Sequence, residues 1–484
     1  MTQDEPRSII LWFRKDLRLD DNHALNAAAE SNQPIIPVFI YQPDADKGGP
    51  LGEAQKWWLH HSLQSLSDSL DQKGGKLLLA SGDVQDILRE LTQATNAQAI
   101  YWNRCHDPVS AEIDEQVEQI CDKAGLKTEI FPGQLLHDPD RIRTGGGSGF
   151  RVYTPFWRAL EKEPEPEEPL SASRKLLFAA HKVKSERLDD WNLLPKKPNW
   201  ASHFSELWEP GEAGAKKRLH SFIKNHISGY AKNRDIPAVD GTSRLSPHLA
   251  HGEISPRQIW HATRGLGHQV GREDVRRFRQ ELVWREFSYH LLHYFPKLAS
   301  ANWNERFDRF AWRGDNAQFR AWARGLTGYP IVDAGMRQLW KHGYVHNRVR
   351  MIVGSFLIKD LMIDWRKGEE WFRDTLLDAD PANNAASWQW VAGSGADASP
   401  FFRIFNPITQ GEKFDPNGDY IRRYVPELAK LDTAYIHKPF AAPASVLENA
   451  SVVLGKTYPK PIVDHATARN RALDAYKAVK SSDD

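Results

Sequence analysis

In the first third of the chain, apolar residues fall in short continuous runs at 8–13, 34–41, 76–80, 97–102 and 127–131. Runs of this length without alternation are the pattern of strands buried on both faces. Between them, segments 21–31, 53–70, 83–94 and 110–124 repeat apolar residues every three or four positions, as helices with one buried side do. Strand and helix in turn predict a doubly wound five-stranded parallel sheet over 1–135. From residue 206 the strand runs stop. Segments 213–225, 272–294, 317–324, 331–342, 345–363 and 369–377 have helical spacing, so 206–484 is predicted to be an all-α domain. The stretch 136–205 differs from both. It holds an acid and proline run at 161–169 and a Pro- and Lys-rich run at 193–198, and is read as a solvated connector.

Composition narrows the class. The chain has 484 residues, 40% hydrophobic and 26% charged, which excludes wholesale disorder and a collagen-like repeat. No apolar stretch approaches 18 residues, so no membrane span is predicted. The two cysteines, Cys105 and Cys121, have no metal-ligand spacing and form no disulfide framework. A reducing, cytoplasmic location is therefore expected. The formal charge of +1 hides an asymmetry. Residues 1–205 carry 24 basic against 31 acidic side chains, a balance of −7; residues 206–484 carry 40 against 32, a balance of +8. The second half suits a polyanion, although two solvated surfaces of different composition would give the same figures.

The turn after the first strand, Arg14 to Asn22, lacks the Gly-x-Gly-x-x-Gly that brings backbone to a pyrophosphate, so no conventional NAD site is expected there. Candidate chemistry concentrates in the helical half. Tyr230 and Arg234 precede Thr242-Ser243-Arg244-Leu245-Ser246, whose hydroxyls and amides suit a phosphate or, equally, a plain helix cap. Glu281, Trp284 and Arg285 share a helical face, as a pocket lining or as an ion pair beside a core indole. Asn347 and Met351 lie one turn apart, with Arg348 and Arg350 nearby. Asp378, Asp380, Asn384, Trp388 and Trp390 fall within thirteen residues, a set suited to a flat hydrogen-bonding cofactor rather than a metal.

These constellations, in this order, resemble the photolyase/cryptochrome family over nearly the whole chain, and within it the class I cyclobutane pyrimidine dimer photolyases. The opening Trp12 to Arg18 with Asp21 and Asn22 fits that resemblance, as do Thr327 to Arg337 and Arg403 to Asp415. The resemblance implies FAD inside the helical domain. Its phosphates would lie on Tyr230 and Thr242, Ser243, Arg244, Leu245 and Ser246, and its ring and ribitol near Arg285, Asp378 and Asp380. Asn384 would face flavin N5. Glu281, Trp284, Asn347, Met351 and Trp390 would form the lesion pocket, with Glu281, Asn347 and Asn384 as the catalytic set. Arg234, Arg348 and Arg350 would hold DNA phosphates or support that surface. Trp388, Trp365 and Trp312 would carry electrons to the flavin.

The activity so implied is light-driven repair. Photoexcited reduced FAD gives an electron to a flipped-out cyclobutane pyrimidine dimer in UV-damaged DNA, the ring splits, and the electron returns. A monomer is expected. The alternative is a cryptochrome-type blue-light photoreceptor using the same site. A second, antenna chromophore of folate or deazaflavin type would sit near 38–41 and 51–60, with Trp57 and Trp58, or be absent. The acid and amide partners for a folate are replaced by Val109 and Ser110, and the lysine for a deazaflavin by Ala250.

Overall fold

The computed structural model describes residues 7–43, 51–397 and 402–481. The five apolar runs form one parallel sheet in the order β3-β2-β1-β4-β5. Its strands are β1 (Ile9–Phe13), β2 (Ile35–Tyr41), β3 (Leu78–Ser81), β4 (Ala99–Asn103) and β5 (Lys127–Phe131). Helices α1 (His23–Glu30), α2 (Glu53–Asp71), α3 (Val84–Thr95) and α4 (Pro108–Ala124) make the crossovers. The pleat explains the continuous apolar runs. Ile9, Leu11 and Phe13 pack with α1 and α2, while Ile10 and Trp12 pack on the other face with α3 and α4. Helix α4 begins two residues before the expected 110 because Asp107 accepts from the Ser110 amide and Pro108 takes the first helical position.

Strand order reverses between β1 and β4, the usual crevice for a ligand in an open α/β sheet. Here the crevice is closed from within. Asn103 and Asn22 both donate to the Asp16 carboxylate, and the helical half docks on the same loop. Gly252 lies so close that a Cβ there would stand 1.9 Å from the Lys15 carbonyl oxygen.

The connector is less solvated than expected. It contains helix α5 (Tyr153–Leu160), and Tyr153, Phe156, Trp157 and Leu160 all enter one hydrophobic core with the helical half. Their spacing of three, one and three residues is helical, but the neighbouring acid and proline run obscures it. That run is itself pinned, since Glu165 and Glu168 pair with Arg264. Trp57 and Trp58, named for an antenna chromophore, are packing residues. Both are buried against Phe204 and Trp208, and the Trp58 indole donates to Glu253 at 2.9 Å.

Four helices carry the candidate site: α6 (Arg272–Tyr294), α7 (Asn347–Ser355), α8 (Trp365–Thr375) and α9 (Pro381–Ala392). The single helix expected over 345–363 is α7 followed by a π-helical turn, Phe356–Asp360. Within that turn Lys359 donates to the Arg403 carbonyl at 2.8 Å, and burial lowers its pKa to about 7.

Glu286 on α6 ties the helical half to the connector by accepting from the Leu136 amide at 2.8 Å. Burial raises its pKa to about 7 despite the neighbouring Arg285. A carboxyl with a raised folded-state pKa stabilises the fold fully below its unfolded value and loses that contribution as pH climbs through the folded value. Denaturant unfolding should therefore show stability falling between about pH 4.5 and 7, by up to roughly 3 kcal/mol for this group. Glu286→Gln, which keeps the acceptor, should flatten that slope. An unchanged slope would refute the assignment.

Candidate functional site

The site is built around the turn that holds Tyr230, Arg234 and Asp235. Arg234 pairs with Glu281 on α6, and Arg348 on α7 pairs with Asp235 at 2.9 Å. Two ion pairs from adjacent residues thus draw α6 and α7 to one place. Arg234 is nearly buried and Glu281 is about one-third exposed, so the pair has its carboxylate toward solvent. Tyr230 is buried against Phe222 and Phe278. Asn347 is exposed at the start of α7, and Met351, one turn on, is half-buried with Arg348 Nη1 3.6 Å from its sulfur.

Trp284 is half-buried on α6. One of its faces is already covered, because Tyr153 stacks on it at 3.5 Å with planes 7° apart. Tyr153 comes from the connector and has no role in the sequence reading. Its hydroxyl donates to the Gln280 carbonyl at 3.3 Å, which fixes the backing ring. Trp390 on α9 lines a small cavity with Ser355, Lys359, Gly393 and Arg403.

Behind this surface lies a buried polar set. Asp380 caps α9 by accepting from the Asn383 amide, and its other oxygen accepts from the Tyr289 hydroxyl at 2.8 Å. Asp378 accepts from Arg350 at 2.8 Å. Burial opposes the Arg350 charge, but Asp378 outweighs it and the guanidinium pKa is raised. Arg350 therefore faces inward, where it supports Asp378 rather than reaching a phosphate. Arg348 is likewise engaged, by Asp235 and by its stack on Phe414. Arg285 donates to the Gln134 carbonyl at 2.7 Å. Its Nη2 and Asp378 Oδ1 are buried with no partner among the described residues. Leaving such atoms unpaired costs about 1–3 kcal/mol each, more when charged. Arg285 Nη2 is left to donate and Asp378 Oδ1 to accept, and the edge of a flavin offers both an acceptor and a donor, so the chemistry of the two residues fits that group.

The Thr242–Ser246 segment is a turn into a short helix, Ser246–His251. Thr242, Ser243 and Arg244 are half-buried and Ser246 is exposed, while Leu245 is core. Arg244 has φ +52° and pairs with Asp240 at 2.9 Å. His346, the cap of α7, is buried and accepts from the Arg348 amide. Burial lowers its pKa to about 4, so the ring is neutral.

Trp388 and Trp365 belong to one core cluster, and Trp312 packs against it. Trp388 meets Phe372 at 4.9 Å and Trp322 at 6.3 Å. The Trp365 indole donates to Asn302 at 2.8 Å, and the half-buried Trp312 rests on Phe310 at 4.5 Å. Asn384 is bonded to Glu369 of α8, a partner the sequence reading did not identify.

A doubly wound parallel-sheet domain joined to a helical domain, with buried polar atoms of Arg285 and Asp378 left unpartnered among the described residues, has the architecture of the photolyase type. Residues 9–174 match the family model for DNA photolyase, and 278–478 match that for the FAD binding domain of DNA photolyase. The chain belongs to this photolyase/cryptochrome family. It is 60% identical over 474 residues to the deoxyribodipyrimidine photo-lyase of Agrobacterium fabrum, covering 98% of both chains. A crystal structure of a bacterial class III photolyase from Agrobacterium tumefaciens superposes with a TM-score of 0.96 at 60% identity, covering 99% of each. Cryptochrome-1 of Arabidopsis thaliana is 37% identical, over 95% of this chain and 69% of that protein. The subclass expected from the motifs is class I and the subclass of that crystal structure is class III; the family is common to both. Among the described residues no helix is long and apolar enough to cross a membrane.

Proposed function

We propose that the protein repairs UV-damaged DNA by splitting cyclobutane pyrimidine dimers in light, acting as a deoxyribodipyrimidine photo-lyase. One observation carries the reading: the Arg234–Glu281 and Arg348–Asp235 pairs bring α6 and α7 to one turn, with the Glu281 carboxylate toward solvent and Asn347 exposed at the start of α7. Domains at 1–135 and 206–484, joined by 136–205, belong to the same proposal.

FAD, when bound and reduced, supplies the photoexcited electron. Arg285, Asp378 and Asp380 would hold its ring and ribitol, and Tyr230 with Thr242, Ser243, Arg244, Leu245 and Ser246 would hold its phosphates. The remaining residues receive the lesion. Extrusion from the duplex costs a few kcal/mol, least for a damaged pair. The free face of Trp284 and the Trp390 ring offset this by roughly 1–3 kcal/mol per stacked base. Glu281 accepts from a base imino group, and Asn347 donates to a carbonyl. Met351 supplies an apolar wall, and the pair with Arg234 fixes the position of the Glu281 carboxylate. The +8 balance of residues 206–484 favours approach of the DNA backbone. Trp388, Trp365 and Trp312 deliver electrons from outside. A second, antenna chromophore of folate or deazaflavin type belongs to the same proposal, with no residue of the largely core 51–60 segment assigned to it.

Illuminating the purified protein with an oligonucleotide carrying one cyclobutane dimer should restore both thymines, with no reaction in the dark or on a (6-4) photoproduct. A colourless, flavin-free protein, or intact dimers after illumination, would sink the proposal. A blue-light photoreceptor at the same site predicts bound flavin without restored thymines.

A further inference from the structure

The connector reaches α6 through one aromatic residue. Tyr153 opens α5, is 8% exposed, and lies flat on Trp284 with ring centroids 3.5 Å and planes 7° apart. Phe287 stands nearly upright to both rings, 5.8 Å from Tyr153 and 6.1 Å from Trp284. The rest of α5 keeps Tyr153 in place, because Phe156 packs on Phe287 at 5.3 Å and on His290 at 4.8 Å.

The Tyr153 hydroxyl donates to the Gln280 carbonyl at 3.3 Å. Within an α-helix that carbonyl also accepts from the amide four residues on, which here is the amide of Trp284. Tyr153 thus holds Trp284 twice: its ring lies on the indole, and its hydroxyl is bonded to the turn from which the indole projects. Burial, and after it the charge of Glu281, raise the phenol pKa, so the hydroxyl keeps its proton and goes on donating.

An indole has two faces, and one free to turn gives up rotamer freedom when a base stacks on it. Trp284 has given up that freedom in advance, and only one of its faces is left for a ligand. We propose that Tyr153 is a positioning residue for lesion binding: it makes Trp284 a one-sided platform, set before DNA arrives, on which an extruded base of the dimer stacks. The connector is by this a working part of the lesion pocket. The proposal rests on Trp284 lining that pocket, as in the function proposed above.

The test is a fluorescence anisotropy titration of the FAD-loaded protein with a duplex carrying one cyclobutane dimer and with the undamaged duplex. Tyr153→Leu should weaken binding of the dimer about three- to tenfold, the worth of one aromatic pair, and leave the undamaged duplex unaffected. Tyr153→Phe keeps the ring and should lose less than leucine does. Tyr153→Met takes the place of leucine if that variant does not fold. Trp284→Ala separates positioning from packing, since on that background Tyr153→Leu should have no further effect on dimer affinity. An equal loss with and without Trp284, an equal loss for both duplexes, or no loss at all overturns the proposal. If Trp284→Ala by itself leaves dimer affinity unchanged, the lesion pocket proposed above fails, and this proposal with it. If the wild-type protein does not distinguish the two duplexes, the function proposed above has failed first.

Discussion

Glu281→Ala is expected to weaken binding of dimer-containing DNA about thirtyfold while leaving the flavin in place. Losing a hydrogen bond to a charged acceptor costs about 1.5–3 kcal/mol, and each 1.4 kcal/mol is a factor of ten in affinity. Two losses combine here. The lesion loses an ionised acceptor, and Arg234, nearly buried, loses the carboxylate that neutralises it. Glu281→Gln separates them, because the amide keeps an acceptor and the shape but not the charge; its affinity should fall between those of wild type and alanine. FAD content should not change, since Glu281 pairs with Arg234 and not with Arg285 or Asp378. Fluorescence anisotropy with damaged and undamaged duplexes, beside the flavin-to-protein absorbance ratio, measures both. Undiminished discrimination by the alanine variant would remove Glu281 from the lesion pocket.

Trp388→Phe is expected to slow photoreduction of oxidised enzyme at least tenfold and to leave repair by chemically reduced enzyme intact. A tenfold loss corresponds to only about 1.4 kcal/mol of added barrier, and a phenyl ring is far harder to oxidise than an indole. Both Phe372 and Trp322 touch Trp388, so the substitution falls at a point that these aromatic routes share. The smaller ring leaves a cavity in the core cluster, and some loss of thermal stability should accompany it. Comparing the two assays on one preparation separates electron delivery from folding. Equal photoreduction rates in wild type and variant would refute the role.

Legibility in the sequence followed the range of the interactions. The strands were readable because each face of β1 meets its own layer of helices, which leaves a run such as Ile9–Phe13 apolar at every position. Helix starts were displaced where a side-chain cap decided them, as Asp107 did for α4. The break of α7 into a π turn was not readable, since apolar spacing continues through Phe356–Asp360. The residues of the site were readable as chemistry, but not their partners. Arg350 reads as a surface cation until Asp378 is placed beside it. Tyr153 reads as connector until it stacks on Trp284.

Two features on which the sequence is rich end in different places. The charge asymmetry and the order of motifs belong to the sequence by itself, because composition and local periodicity need no partner to be read. They determine the parallel-sheet and helical halves, the basic character of the second half and the family. Only the tertiary structure decided which tryptophans pack and which stand open, which arginines are already paired, and which way the Asn384 amide points. Each of those depends on two side chains distant in sequence sharing one hydrogen bond or one ring face, and the pairing is set by how helices α6 to α9 pack.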